Sequence, residues 1–532
     1  MAFTSPIEAP RRLRKVKSLI ENLGNRSPPT VIPVASKMRR VEATPCNFRK
    51  PMDNIRSLLF FVVKFHLDEK LLRAALDRLI RDHLPLLGGR IKRASDGTKF
   101  EYHIPEPFQD NHKLFEWTSR SILTTLDEAN LLPSSMAEDS LVSFSKPSIP
   151  EIEQHWRPAD WPLERRHDKP DTPLLLVHLT SYTDATILST NLPHAVADQM
   201  GYASIIKAWL QIARGETPRP FLELKDNTLF CTEGFSAEDL YSKGRYHTWD
   251  NSERRKAILY MIPELILYPK ELRQVLRLSV SGVERLRGQW DEKTKQKYGV
   301  DSLPLTNGSV ISALIIKLSH YHRKTPKPLT HTYSVNLRGR HPALPSDIPY
   351  IHNALTYAYA RVQAGRDVPA FELAHSYRTA LSRAQSEEDM ARSMAASAEH
   401  ERCDLDTIHC DPGTFPAAMT NWTSAWRGID FSSAAAATNS EQSKKEKQPV
   451  RITEVVKDGQ LTQVDISTNE RSNQLPLVLG HSLERNPRTP TRFSSVIMCK
   501  SEGAYWCDFT GTPKSLAAVK ELLKQDPHLE TI

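Results

Sequence analysis

Cysteine is scarce and scattered. The 532 residues contain six, and Cys403 and Cys410 have no second close pair to complete a cluster. A disulfide framework or a zinc site is therefore not expected, and no metal is assigned. Long apolar runs are missing too. The stretch Ser57 to Phe65 is already interrupted by Lys64, far short of the roughly 18 residues that span a bilayer. The basic N-terminal group Arg11, Arg12, Arg14, Lys15 and Lys17 is followed by no apolar core of a secretory signal. The C-terminal Leu-Glu-Thr-Ile matches no peroxisomal or endoplasmic-reticulum address. These absences lead to the expectation of a soluble protein of the reducing cytosol. No segment repeats at a fixed period, which argues against solenoids and propellers. Nor is any lysine or arginine run interleaved with stacking aromatics. The net charge of +8, from 71 basic and 63 acidic residues, is thus weak support for a nucleic-acid partner, and none is expected.

What is present is length, and alternating strand and helix signals. The chain exceeds what one core supports, so two domains are expected. We place them at 1–215 and 256–532, with a Pro-rich polar crossover at 216–255. Ser57 to Phe65 reads as a strand, and Asp68 as the cap of a helix bearing Leu71, Leu72, Ala75, Leu76, Leu79 and Ile80. That helix ends at His83-Leu-Pro-Leu-Leu-Gly-Gly-Arg90. Asp96-Gly97 reads as a hairpin turn. In the second half, strands are expected at 273–280, 332–337 and 353–361, with helices at 281–298, 310–320 and 370–400. The stretch 418–431 reads as a strand and turn with two tryptophans. Residues 433–449, alanines followed by Ser-Lys-Lys-Glu-Lys, read as a mobile loop. A hairpin around Glu502-Gly503 and a helix at 513–524 close the chain. The alternation in each half implies an α/β fold.

The chemistry concentrates at one place. Thr186 to Leu192 carries a buried-strand signal and runs into Pro193 and His194. A helical pattern begins near Asp198, with Tyr202, Ile205, Ile206, Trp209, Leu210 and Ala213 on one face and Gly215 just past its end. The spacing His-x-x-x-Asp by itself says little, because it occurs three times. His167/Asp171 holds Pro170 among charged neighbours and reads as a solvated loop. His400/Asp404 reads as an exposed helical pair. Only His194/Asp198 has the apolar strand before it and the amphipathic helix after it. An imidazole at a strand end can face a cavity and act as a general base near neutral pH. An ordinary core histidine is the competing reading.

With the flanking segments added, the chain resembles the His-x-x-x-Asp acyl-CoA-dependent acyltransferases, the plant BAHD enzymes and the fungal trichothecene-type O-acetyltransferases. Four further stretches fall in that family's order. They are His83-Leu-Pro-Leu-Leu-Gly-Gly-Arg90; Thr306-Asn307-Gly308 before an apolar helix; Val335-Asn336-Leu337-Arg338-Gly339-Arg340; and Thr420-Asn421-Trp422 through Ile429-Asp430-Phe431. The likeness covers roughly residues 45 to 525. Two departures are visible. Asp198 is followed by Gln199-Met200-Gly201 where plant members have glycine at once, and the Asp-Phe-Gly-Trp-Gly signature survives only as Asp430-Phe431-Ser432-Ser433-Ala434.

The resemblance implies two chloramphenicol-acetyltransferase-like domains, each a mixed sheet flanked by helices, with the active site in a channel between them. The segment near 412–432 would return to the N-terminal sheet. It implies acyl transfer, most simply acetyl, from coenzyme A to a hydroxyl of a small secondary metabolite, with no covalent acyl-enzyme. His194 would be the general base. Asp198 would turn away and pair with Arg338 or Arg340. Trp422 and Thr420 would face the oxyanion, Thr306, Asn307 and Ser309 the coenzyme, and Asp430 would be structural. Acyl-CoA would be a co-substrate with no tightly bound cofactor, and the protein a monomer without membrane or nucleic-acid partners. An N-acyltransferase, a relative of peptide-synthetase condensation domains and a non-catalytic binding or regulatory protein are the alternatives.

Overall fold

The structure is a computed structural model. It describes residues 37–95, 99–133, 140–224, 229, 234–236, 250–402, 410–436, 453–457, 460–464, 476–483 and 490–532. In chain order the first part contains β1 (Lys37–Glu42), a helical turn α1 (Pro45–Phe48), β2 (Arg56–Val63), α2 (Glu69–Arg78), β3 (Arg90–Arg93), β4 (Phe100–Glu106), β5 (Glu116–Ser121) and β6 (Val142–Ser145). Next come α3 (Ile149–Trp156), β7 (Leu176–Ser181), β8 (Thr186–Pro193), α4 (Gln199–Ala213), α5 (Asn251–Leu267), β9 (Leu272–Ser279), α6 (Val280–Tyr298), α7 (Asn307–His320), β10 (Lys327–Asn336) and β11 (Leu355–Ala364). The last part holds α8 (Ala370–Arg383), α9 (Glu387–Arg402), β12 (Phe415–Asn421), the hairpin β13 (Thr453–Lys457) with β14 (Gln460–Val464), β15 (Leu477–His481), β16 (Ser494–Ser501), β17 (Ala504–Gly511) and α10 (Pro513–Gln525).

Among the described residues two compact units are distinguished: residues 37–39 with Pro105–His112, and Arg40–Ile104 with Lys113–Ile532. In the small unit Arg39 pairs with Glu106 at 2.6 Å. The large unit holds everything that follows. It is built on two mixed sheets flanked by helices, as the family resemblance implies. One has five strands in the order β15-β2-β8-β7-β5, and the other seven in the order β11-β10-β12-β16-β17-β9-β6.

Every residue of β2 and of β8 is buried. Such strands read as apolar runs, and their few polar side chains need partners. In β8 the Ser189 hydroxyl donates to Trp156 O at 2.5 Å, and Asn191 Nδ2 donates to Pro162 O at 2.9 Å. The seven-stranded sheet packs on α7, whose residues Ser309 to Leu318 are all buried. Leu314, Ile315, Trp290, Phe509 and Val519 meet there in one core. Each such large apolar side chain contributes roughly 1.5–3 kcal/mol by leaving water.

Several expectations need correction. The segment at 412–432 does not return to the N-terminal sheet, because β12 lies parallel to both β10 and β16. The strand that closes the five-stranded sheet beside β2 is β15, with Leu479 opposite Phe60. In exchange, β6 from the first half pairs with β9 at the edge of the seven-stranded sheet. The crossover at 216–255 already contains the start of α5, where Asp250 caps the helix by accepting from Glu253 N at 2.7 Å. The helix expected at 370–400 is two helices, because Ser386 starts α9 anew with its carbonyl accepting from Met390 N. The start of the supposed loop at 433–449 is ordered by a 3-10 turn, Ser432–Ala434, and a bridge from Ala435 to Leu67. Its remainder beyond 436, and the turn at Asp96-Gly97, lie outside the described residues.

Candidate active site

The strand β8 delivers His194. Its last ladder bond is His194 N to Ile55 O at 2.9 Å, so the imidazole leaves the sheet from a fixed root. The residue is 8% exposed and lines a cavity of about 250 Å3. Its Nδ1 is enclosed without a hydrogen-bond partner. Burial pushes the imidazole below its ordinary pKa, and the Asp198 carboxylate partly opposes that shift. At neutral pH the ring is therefore uncharged and able to accept a proton.

Asp198 faces the other way. One carboxylate oxygen caps α4 by accepting from Gly201 N at 2.8 Å. The other accepts from Arg338 Nη1 at 3.0 Å and from Ala354 N at 2.9 Å. Arg338 also donates to Tyr350 O and His352 O, so the segment 350–354 straps across the motif. This strap explains Gly201. A Cβ there would fall 1.8 Å from Ile351 O, too close for any other residue. Of the two candidate arginines, Arg338 makes the pair. Arg340 is instead bonded to Asn336 O.

Thr420 and Trp422, at the end of β12, line the same cavity as His194. Trp422 is 2% exposed. Thr306, Asn307 and Ser309 are not among the cavity's lining residues. Thr306 and Ser309 form a reciprocal capping box, with Ser309 N donating to Thr306 Oγ1 at 3.1 Å and Thr306 N donating to Ser309 Oγ at 2.9 Å. Asn307 Nδ2 donates to Tyr505 Oη at 2.9 Å. Asp430 accepts from the backbone and hydroxyl of Ser432, while neighbouring Phe431 packs on Phe61.

Sequence reasoning missed much of the lining. Thr332, Ser334 and Asn336 reach the cavity from alternate positions of β10, and Leu355 and Tyr357 from β11. The alternation in Thr-Tyr-Ser-Val-Asn is a signal that could have marked them. Ser482 and Leu483 enter after β15, a strand that was not anticipated, and Ser494 and Val496 from β16. Gln199 also lines the cavity, with both amide atoms buried and unpartnered. Among the described residues the lining includes no lysine or arginine, and its one carboxylate, Asp198, is held by Arg338. Among the described residues no group of three or more His, Cys, Asp or Glu could hold a metal, and no helix is long and apolar enough to cross a membrane. The described cysteines Cys46, Cys410, Cys499 and Cys507 are buried, and no disulfide joins them.

Comparison with known proteins places this geometry. The Transferase family model matches residues 162–447, more than half of the chain and all of the His194 motif. The chain belongs to the Transferase family. Among its relatives, the transcriptional regulator sdnM of Sordaria araneosa is 28% identical over 208 residues, 36% of this chain and 38% of that protein. Acetyltransferase adrJ of Penicillium rubens is 24% identical over 406 residues, 71% of this chain and 78% of that protein. The match thus spans well under half of the first relative's length and most of the second's. The crystal structure of F. graminearum TRI101 complexed with ethyl coenzyme A superimposes with a TM-score of 0.60 at 12% identity, covering 91% of this chain and 97% of that one. At that identity the likeness shows a shared fold.

Proposed function

We propose that the protein is an acyl-CoA-dependent O-acyltransferase that acylates a hydroxyl of a small, uncharged secondary metabolite. The observation that carries the reading is a neutral imidazole, rooted at the end of a central strand and lining a cavity in which the one carboxylate among the described residues, Asp198, is held by Arg338. The name of the adrJ relative and the coenzyme bound in the TRI101 structure support the same chemistry. Asp198 is held by three donors and leaves His194 without an orienting carboxylate, which favours a lone base over a relay.

In this reading the acceptor hydroxyl gives its proton to His194 while its oxygen attacks the thioester carbonyl. The tetrahedral intermediate carries its charge on the former carbonyl oxygen, where the indole N–H of Trp422 and the hydroxyl of Thr420 are the donors offered by the cavity wall. The C–S bond then breaks, and the coenzyme A thiolate takes the proton back from the imidazolium. No bond to the enzyme forms. Among the described residues the lining carries no lysine or arginine, which suits an uncharged acceptor. Thr306, Asn307 and Ser309 act in this scheme as the start of α7, and Asp430 as a structural residue. The family's two domains map onto 1–215 and 256–532, with β6 and β15 exchanged, and the protein works as a cytosolic monomer with acyl-CoA as co-substrate.

The test is thiol release from acetyl-CoA in the presence of a panel of neutral terpenoid, polyketide and alkaloid alcohols, with mass spectrometry of the product. Turnover is expected, and His194→Ala should lower it by about 10²–10⁴-fold, the usual contribution of a general base. A purely regulatory protein would give no turnover with any donor. Transfer confined to amines would replace the hydroxyl acceptor.

A further inference from the structure

The helical turn α1 carries a fully buried amide, Asn47, at 0% exposure. It lies far from the His194 motif in sequence and in no stretch that resembles the family's motifs. Its orientation is fixed, because its Oδ1 accepts from the backbone N of Asn353 at 3.0 Å. The same oxygen accepts from Asn353 Nδ2 at 2.9 Å, and that amide's other hydrogen goes to the carbonyl of His194 at 2.8 Å. On its nitrogen side, Asn47 Nδ2 donates to Tyr102 Oη at 2.8 Å, and Tyr102 Oη donates to the carbonyl of Ala195 at 2.5 Å. Burial holds the Tyr102 phenol far above its ordinary pKa, so it stays a donor. Asn47 Nδ2 also lies 2.8 Å from His352 Nδ1, which accepts its second hydrogen.

Two side chains thus grip two consecutive carbonyls, those of His194 and of the residue after it, and both are set by one amide. A loop leaving a strand has no ladder to hold its carbonyls. Here the ladder is replaced by side chains, and Asn47 is the part they share. We propose that Asn47 is a positioning residue for His194, fixing the root of the imidazole through Asn353 on one side and Tyr102 on the other. The proposal rests on the reading of His194 as the base. A misplacement of about 1 Å at a reacting group costs on the order of 100-fold, so loss of both grips should register in the chemical step before it registers in binding.

The experiment compares Asn47→Ala and Tyr102→Phe in the full chain. Asn47→Ala is expected to lower kcat by about 10- to 100-fold with KM for acyl-CoA unchanged within about twofold, and Tyr102→Phe, which releases only the Ala195 carbonyl, by less. In a His194→Ala background neither substitution should lower the residual rate further, because they act through the ring that has been removed. Unchanged kcat in Asn47→Ala, or losses that add in full to that of His194→Ala, would overturn the proposal. Should Asn47→Ala fail to fold, Tyr102→Phe decides alone, and unchanged kcat there overturns it. A second readout does not need turnover: labelling of His194 by diethyl pyrocarbonate, followed by peptide mass spectrometry. Faster labelling in the variants supports a loosened ring even if the natural protein transfers no acyl group, and an unchanged rate refutes it.

Discussion

Replacing Asp198 by asparagine isolates what the second motif residue does. The carboxylate accepts from Gly201 N with one oxygen and from Arg338 and Ala354 N with the other. An asparagine can keep its oxygen toward Gly201, but its amide hydrogens then confront the Arg338 guanidinium and the Ala354 N–H. Flipped, it leaves the N-terminus of α4 facing a donor. Either way a backbone N–H is orphaned and Arg338, with a side chain only 10% exposed, loses its counter-charge. Breaking one partner of a buried pair costs about 3–5 kcal/mol, a large share of the roughly 5–15 kcal/mol that holds a typical domain. Urea unfolding followed by tryptophan fluorescence should therefore show Asp198→Asn destabilised by about that amount. In an Arg338→Met background the same change should cost much less, since the pair is already gone. An Asp198→Asn protein that unfolds at the natural urea midpoint, keeps its circular dichroism and yet loses turnover would refute this account and put the carboxylate in the chemistry.

Three further outcomes are expected. The imidazole of His194 is pushed below its ordinary value of about 6.5 by burial, so activity should persist as pH falls past 6.5 and be lost only below it; an acid limb of kcat/KM above 6.5 would contradict this. Gly201→Ala sets a Cβ 1.8 Å from the Ile351 carbonyl oxygen, and the strap at 350–354 must move; we expect a loss above about 4 kcal/mol or no soluble protein, and a natural urea midpoint would count against the strap. Gln199→Met removes two buried amide atoms that lack partners and should stabilise the free protein by about 1–3 kcal/mol, read as a raised thermal midpoint; a lowered midpoint would mean that the amide is satisfied.

The candidate base was legible because three signals coincide there: an apolar strand, a proline at its end, and a helical period that opens on a capping carboxylate. The structure has all three, in β8, Pro193 and α4. The partner of Asp198 could be narrowed to two arginines but not chosen, since Arg338 and Arg340 alternate about a turn whose direction depends on the strap. The helix α5 was hidden because Ile258, Leu259, Ile262, Ile266 and Leu267 all remain exposed, so its apolar residues do not trace a core-facing stripe, and Pro263 interrupts it. The strand β15 was hidden for another reason. It is five residues long, and Gly480 sits in it at φ +153°, where a Cβ would fall 2.1 Å from Leu58 O. A short run broken by glycine looks like a turn until its neighbour is known. Asn47 gave no local signal, because its role lies wholly in contacts with residues remote in sequence.

The traded edge strands bear on how this protein comes into being. While the ribosome is still translating the second half, β2 has β8 on one side and nothing on the other, and the row of backbone groups along Phe60 and Phe61 stays bare. Only when Leu477 to His481 has emerged can that border be sealed. An open hydrophobic edge of this kind invites pairing with other nascent chains. Truncation before residue 477 should therefore yield aggregates rather than a working N-terminal half, and a protein cut between the halves should regain solubility only when both pieces are made together.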